Sequence, residues 1–199
     1  MGRQIQPLFG VVATAALAVC LAGAARAAEN TQERIEALRW IIAHNVEDPA
    51  FSRAEIHEAL GHFLLGAQVE VTKEVANEAE HHLRRAVELD PTLYWGWYDL
   101  AIMHMDTEEG NQYLKNAIAA NPEFPEPYYW LGYTHARNGR DVEAMSVFKQ
   151  YLQVVRDHPD AVGRMELAED LLAELRSGVD GEELRRVRKR SGTTAEWLE

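Results

Sequence analysis

Trp97-Tyr98-Asp99-Leu100-Ala101-Ile102-Met103-His104 and Tyr128-Tyr129-Trp130-Leu131-Gly132-Tyr133-Thr134-His135 are two similar blocks that sit head to tail between Leu93 and Pro159. Each is followed by a second apolar-periodic segment that ends in a proline, Pro122 or Pro159, and Pro91 closes the segment before. Apolar residues recur at three and four along the chain, the period of an amphipathic helix. Runs of β-branched residues alternating with polar ones are absent. Similar helical blocks with regular proline punctuation are the mark of a repeat, and the repeat decides the fold.

Working outward, the flanks read as helices too. Thr31 can cap a helix carrying Ile35, Leu38, Ile41 and Ile42, which Asp48-Pro49 stops. Ser52 and Glu55 form a capping box ahead of Ile56, Leu60, Phe63, Leu64 and Ala67. Thr72 opens a helix with Val75, Ala79, Leu83, Ala86 and Val87 inward, ended by Asp90-Pro91. Leu93–Met105, Glu108–Ala120, Tyr128–Arg137 and Val142–Arg156 follow, with Pro125 and Pro127 pre-setting the third of these and Asn138-Gly139 stopping it. Beyond Pro159-Asp160, Ala161, Met165, Ala168, Leu172 and Leu175 form one stripe that Ser177-Gly178 ends. A weaker helix spans Gly181–Arg190, and Ser191–Glu199 reads as a frayed end.

The prolines lie 31 and then 37 residues apart, a mean period of 34. That period and the residues resemble the tetratricopeptide repeat (TPR) family, in its exported bacterial form. Its pattern is aromatic-x2-Leu-Gly-x2-aromatic, then Ala-x3-Phe, then Pro. The third unit matches with Tyr128, Leu131, Gly132, His135, Ala144, Phe148 and Pro159. The second supplies Trp97, Leu100, Ala101, His104, Gly110, Leu114, Ala117 and Pro122. For the first, Phe63, Gly66, Ala67, Glu70, Ala79, Leu83, Ala86 and Pro91 are the expected register. The second unit is three residues short between Ala101 and Gly110, so its turn must be tight. The third has three extra residues between Phe148 and Pro159.

The resemblance implies an all-α fold, a right-handed superhelical array of antiparallel helix pairs. About three TPR-like units span 52–159, with capping helices in 28–51 and 160–176 and a basic tail in 177–199. Helix pairs cannot bury their apolar faces alone, so they stack and need caps. The resemblance also implies a concave groove lined by the first helix of each pair. Carried over by position, its residues are Trp95, Tyr98, Ile102 and Met105, then Glu126, Tyr129, Tyr133 and Ala136, with Arg137 at the edge. The first unit would give Gly61, Leu64, Gln68 and Val71. Trp97, Leu100, Tyr128 and Leu131 fall to the core. Large amphipathic aromatics on a rigid concave surface suit peptide capture, with Arg137 orienting the ligand. Two alternatives stand beside this: the aromatics are themselves core, or a terminal helix of the same chain fills the groove.

The N-terminal residues read as an address. Met1-Gly2-Arg3 is positive, Leu8–Ala25 is uncharged and weakly apolar, and Ala25-Arg26-Ala27 suits a signal peptidase. The expectation is a signal peptide in 1–27 and a periplasmic mature chain. The alternatives are an uncleaved membrane anchor and a lipoprotein signal ending at Cys20. Cleavage would remove the single cysteine, and with it thiol chemistry and disulfides. It would also remove Arg3 and Arg26 but no acid, taking net charge from −12 to −14. Such acidity disfavours nucleic acid. Arg185-Arg186-Val187-Arg188-Lys189-Arg190 is the exception, a run that could meet nucleic acid (which the export signal argues against), an anionic lipid headgroup or the protein's own acidic helices, or simply be a solvated helix end.

Candidate chemistry is thin. His57 and His62 are five apart and diverge on a helix, unlike a zinc-protease pair four apart. His81-His82 default to the surface. His104 and His135 hold equivalent slots in successive units and carry the rival reading, a small-molecule, metal or haem protein. No nucleophile motif, phosphate loop or dinucleotide fingerprint occurs, so no cofactor, metal ligand set or catalytic residue is expected. The sequence therefore points to a non-enzymatic adaptor or assembly factor that binds a protein or peptide in the cell envelope. A self-assembling scaffold is the third class. Trp197-Leu198 is left without a role.

Overall fold

The computed structural model describes residues 31–47, 50–66, 72–156, 164–178 and 182–189. The signal-peptide residues, Cys20, Asp48-Pro49, Gln68, Val71 and Trp197 lie outside them. Every regular element among the described residues is a helix: α1 (Thr31–Ala43), α2 (Arg53–Gly66), α3 (Lys73–Leu89), α4 (Tyr94–Met103), α5 (Glu108–Ala120), α6 (Glu126–Arg137), α7 (Asp141–Arg156), α8 (Met165–Ser177) and α9 (Glu182–Lys189). None of them is long and apolar enough to cross a membrane. The chain divides between Gly96 and Trp97 into two units.

Helix ends form where the sequence supplies partners for free backbone groups. The Ser52 backbone N–H donates to Glu55 Oε2 at 2.7 Å and the Glu55 N–H donates to Ser52 Oγ at 3.2 Å, the reciprocal pair of a capping box. Gly139 and Gly178 take φ of +71° and +66°, so α6 and α8 end in left-handed residues that cost glycine little. Thr107 Oγ1 accepts from the Gly110 N–H at 2.9 Å and opens α5. Thr107→Ala is expected to cost about 1 kcal/mol of stability, read from the urea midpoint.

In the first unit α1 packs on α2 and α2 on α3. Ile35, Leu38, Ile41, Ile56, Leu60, Leu64, Leu83 and Val87 are buried. The glycines correct the expected register here. In the third repeat, a Cβ on Gly132 would sit 2.9 Å from the Phe148 ring, so the Gly slot abuts the Phe slot of the paired helix. In the first repeat the glycine that abuts Leu83 is Gly61, whose Cβ would lie 2.5 Å from Leu83 Cγ, while Gly66 has open space. The Leu-Gly pair of this repeat is thus Leu60-Gly61, six residues earlier than Gly66-Ala67. His57 takes the first aromatic slot, and α3 begins six residues before Ala79 where α7 begins three before Ala144, so part of the added length extends α3. Leu64 and Gly61 are buried in the hairpin and are not groove residues.

In the second unit α5 packs on α6, α6 on α7 and α7 on α8. Leu100, Leu114, Tyr128, Leu131 and Phe148 are buried, and Trp97 stacks on Tyr113 at 5.8 Å. The Thr134 hydroxyl meets Asn111 Oδ1 at 2.8 Å in the buried seam between α5 and α6. The short turn of the second repeat is tight, as its spacing requires. Asp106 takes φ of +69°, a left-handed conformation unusual for a residue with a side chain. The Thr107 N–H donates to His104 O at 3.1 Å, closing the loop within four residues.

Candidate interaction site

The expected groove helix of the third repeat is α6. Its burial is the main surprise. Tyr129 and Tyr133 are only 3% and 4% exposed, and Ala136 is fully covered. They share a cluster with Tyr151 and Val155 of α7, Leu171 and Leu175 of α8, and Leu184 and Val187 of α9. The sequence led us to expect Tyr129 and Tyr133 open to a partner, and both are instead covered. Their cover comes from the chain itself. At the N-terminal half of α6 the Arg164 guanidinium lies 5.3 Å from the Tyr129 ring centre and 5.1 Å from that of Trp130, a cation on two aromatic faces. At the C-terminal half, α9 packs on both α6 and α8.

The attachment of α9 is specific. Arg188 Nη2 donates to Asp141 Oδ1 at 2.8 Å, and Arg188 Nε reaches Ala136 O at 3.4 Å, one of the carbonyls in the last turn of α6. The Leu184 N–H donates to Glu174 Oε2 at 2.7 Å, so a side chain of α8 satisfies a backbone donor of α9. Of the options for the basic run, contact with the protein's own acidic residues is the one present among the described residues. Sequence reasoning missed Leu184 and Val187 as groove-covering residues. The signal was their spacing of three inside an otherwise charged run, which puts both on one helix face.

The remaining expected site residues divide. Ile102 and Met105 are each 8% exposed and so belong to the core, another correction. Tyr98 is half-buried: its ring meets Phe124 edge-on at 5.3 Å and its hydroxyl accepts from Trp130 Nε1 at 3.1 Å. Burial raises the Tyr98 phenol pKa, with the Trp130 bond opposing. Arg137 does not stand ready for a ligand, because its guanidinium pairs with Asp106 in the strained turn. Burial pushes the Asp106 carboxyl up against that attraction, and its second oxygen is buried without a partner. Trp95 keeps the exposure expected of it, at 40%, with the His62 ring edge-on at 6.2 Å.

The histidines take three environments. His57 is buried and its Nδ1 faces His82 Nδ1 at 2.8 Å, with the rings stacked at 5.0 Å, so one ring donates to the other. His82 therefore does not sit free on the surface as expected, although His81 is exposed. Burial first, then the His82, Arg53, Arg85 and His81 charges, lower the His57 pKa to about 4. Burial likewise lowers that of His82. His62 turns away from His57, toward Phe63 and Trp95. His104 lies near Glu109 and edge-on to Tyr113. His135 is buried, its pKa lowered first by burial, with Nδ1 lacking a hydrogen-bond partner. Among the described residues no three His, Cys, Asp or Glu side chains converge as a metal site.

No family model matches the sequence. Two solved structures, both crystal structures of MamA, resemble the chain at 19% identity each. One aligns with a TM-score of 0.60 over 90% of this chain and 97% of its own length. The other gives 0.56 over 84% and 88%. At that identity the likeness establishes the fold, an all-helical TPR-like repeat architecture.

Proposed function

We propose that this chain is a non-catalytic interaction scaffold that holds a protein or peptide segment in the cell envelope. The observation that supports this most is the face of α6. It carries Tyr129, Tyr133 and Ala136 at the positions the resemblance assigns to the groove, and it already accommodates a helix, α9. A surface that seats one short amphipathic helix has the shape and apolar character to seat another. Support for the envelope address is the pattern of 1–27: a positive start, an apolar run and small residues at Ala25 and Ala27. The acidity of the chain, at net −12, favours basic or neutral partners over nucleic acid.

In the first unit Trp95 is a separate contact point to probe, since it is an exposed aromatic at a position the resemblance assigns to a groove and tryptophan anchors tend to dominate interface energies. A photoreactive residue placed at Trp95 in cells should yield one discrete crosslinked protein. A control at Gln112, exposed on α5, should not. Trp95→Ala should weaken capture of the same protein about tenfold and leave the urea midpoint nearly unchanged. Equal crosslinking from Trp95 and Gln112 would sink the reading.

A further inference from the structure

We propose that α9 is a displaceable occupant of the α6 groove face, and that the partner taken there is a basic amphipathic helix that copies its pattern. This rests on the groove reading above and names the ligand class. The pattern is two aliphatic residues three apart followed at once by arginine, as in Leu184, Val187 and Arg188. The aliphatic pair enters the apolar cluster with Tyr133 and Ala136. The arginine then meets the Ala136 carbonyl at the end of α6 and the Asp141 carboxylate that starts α7. A helix C-terminus and an acid in the next first turn make that corner selective for a cation.

Several observations make α9 removable. It has eight residues, below the length at which a helix persists alone in water. Only two of its side chains, Leu184 and Val187, join the apolar cluster among the described residues, whereas α8 adds Ala168, Leu171, Leu172 and Leu175 to the core. Arg185 and Arg186 remain exposed on its outer side, where a core helix would carry apolar residues. Tethering to the chain keeps its local concentration high, so a free competitor meets a raised threshold. Partner affinity would therefore be set by competition with α9 and rise when α9 is weakened.

The test uses the full chain and a fluorescein-labelled peptide of residues 180–191, followed by anisotropy. Val187→Asp should release α9 and bind the peptide at least tenfold more tightly than the unaltered chain. The same peptide with Asp at 184 and 187 should not bind either protein. In hydrogen exchange on the unaltered chain, α9 amides should exchange at least tenfold faster than those of α7. Equal peptide affinity for both proteins would overturn the proposal, as would protection of α9 matching α7, or unfolding of the Val187→Asp chain. A dimer that Val187→Asp converts to monomer would make α9 an arm exchanged with a second copy and would also overturn it. A discrete crosslink from Trp95 alongside any of these failures would leave the scaffold reading standing and remove only the α9 exchange.

Discussion

Gly110→Ala is expected to destabilise the second unit by about 3 kcal/mol, the upper part of the range for forcing atoms into a packed site. The slot is alanine in the other two repeats, as Ala79 and Ala144, and both are fully buried there. A family rule would therefore call the change harmless. The geometry says otherwise. A Cβ on Gly110 would lie 2.2 Å from the His104 carbonyl oxygen and 2.8 Å from its carbon. These are backbone atoms, and they belong to a turn with little freedom. Asp106 is already left-handed, and the Thr107 hydroxyl and N–H both hold His104 O, at 2.7 and 3.1 Å. The three missing residues bring the end of α4 onto the start of α5, and only glycine fits between them. Lengthening that turn by three residues should restore tolerance to alanine. The reverse exchange, Ala144→Gly, loses helix propensity and a buried methyl and should cost about 2 kcal/mol. Urea midpoints for the pair decide it: a Gly110→Ala loss no greater than that of Ala144→Gly would show that the turn can open.

The same comparison explains what the sequence made legible. Helix ends were readable because their causes are local: Ser52 with Glu55, Asn138-Gly139 and Ser177-Gly178 each act within a few residues. The pairing of Gly132 with Phe148 was readable because the third repeat keeps the family spacing. The first repeat was misread by six residues because Leu60-Gly61 and Gly66-Ala67 compete for the same slot in the sequence, and periodicity alone does not choose between them. Leu83 chooses, by touching Gly61 from the next helix. The groove failed for a related reason. Position in the repeat says which way Tyr129 and Tyr133 face, but not what covers them. Part of their cover is Tyr151 of the paired helix α7, but the rest is Arg164 and α9, up to about fifty residues later in the chain, and no local rule links those to α6.

Acidification from pH 7 to about 4.5 should destabilise the first unit by about 2 kcal/mol through the His57–His82 pair. Realigning α2 on Gly61 puts His57 in the slot of Trp97 and His82 in the slot of Tyr113, so the stacked aromatic pair of the second repeat is a histidine pair in the first. A neutral pair is well served, since one Nδ1–H donates to the other Nδ1. One added proton can reside on an Nε2 with that bond kept. Two force N–H groups against each other across 2.8 Å. His57 faces Arg53 on its own helix and Arg85, His81 and His82 on α3, all of which oppose a positive charge. Against them stands Glu78, which favours a proton on His82 but is itself held by two bonds from Arg39, at 2.6 and 2.7 Å. The His57 pKa in the fold, about 4, is below its ordinary value of 6.5. Between those values the unfolded chain binds a proton that the folded chain refuses, so stability is complete above about pH 6.5 and falls as pH drops toward 4. The whole shift would correspond to roughly 3.4 kcal/mol. Partial access of solvent to the pair reduces that to the figure above. His57→Phe with His82→Phe keeps two rings in slots that hold rings elsewhere and removes the titration. Its urea midpoint should match the unaltered chain at pH 7.5 and exceed it at pH 4.5. A parallel fall of both proteins across that range would assign the acid sensitivity to carboxylates and leave the pair a purely steric substitute for Trp and Tyr.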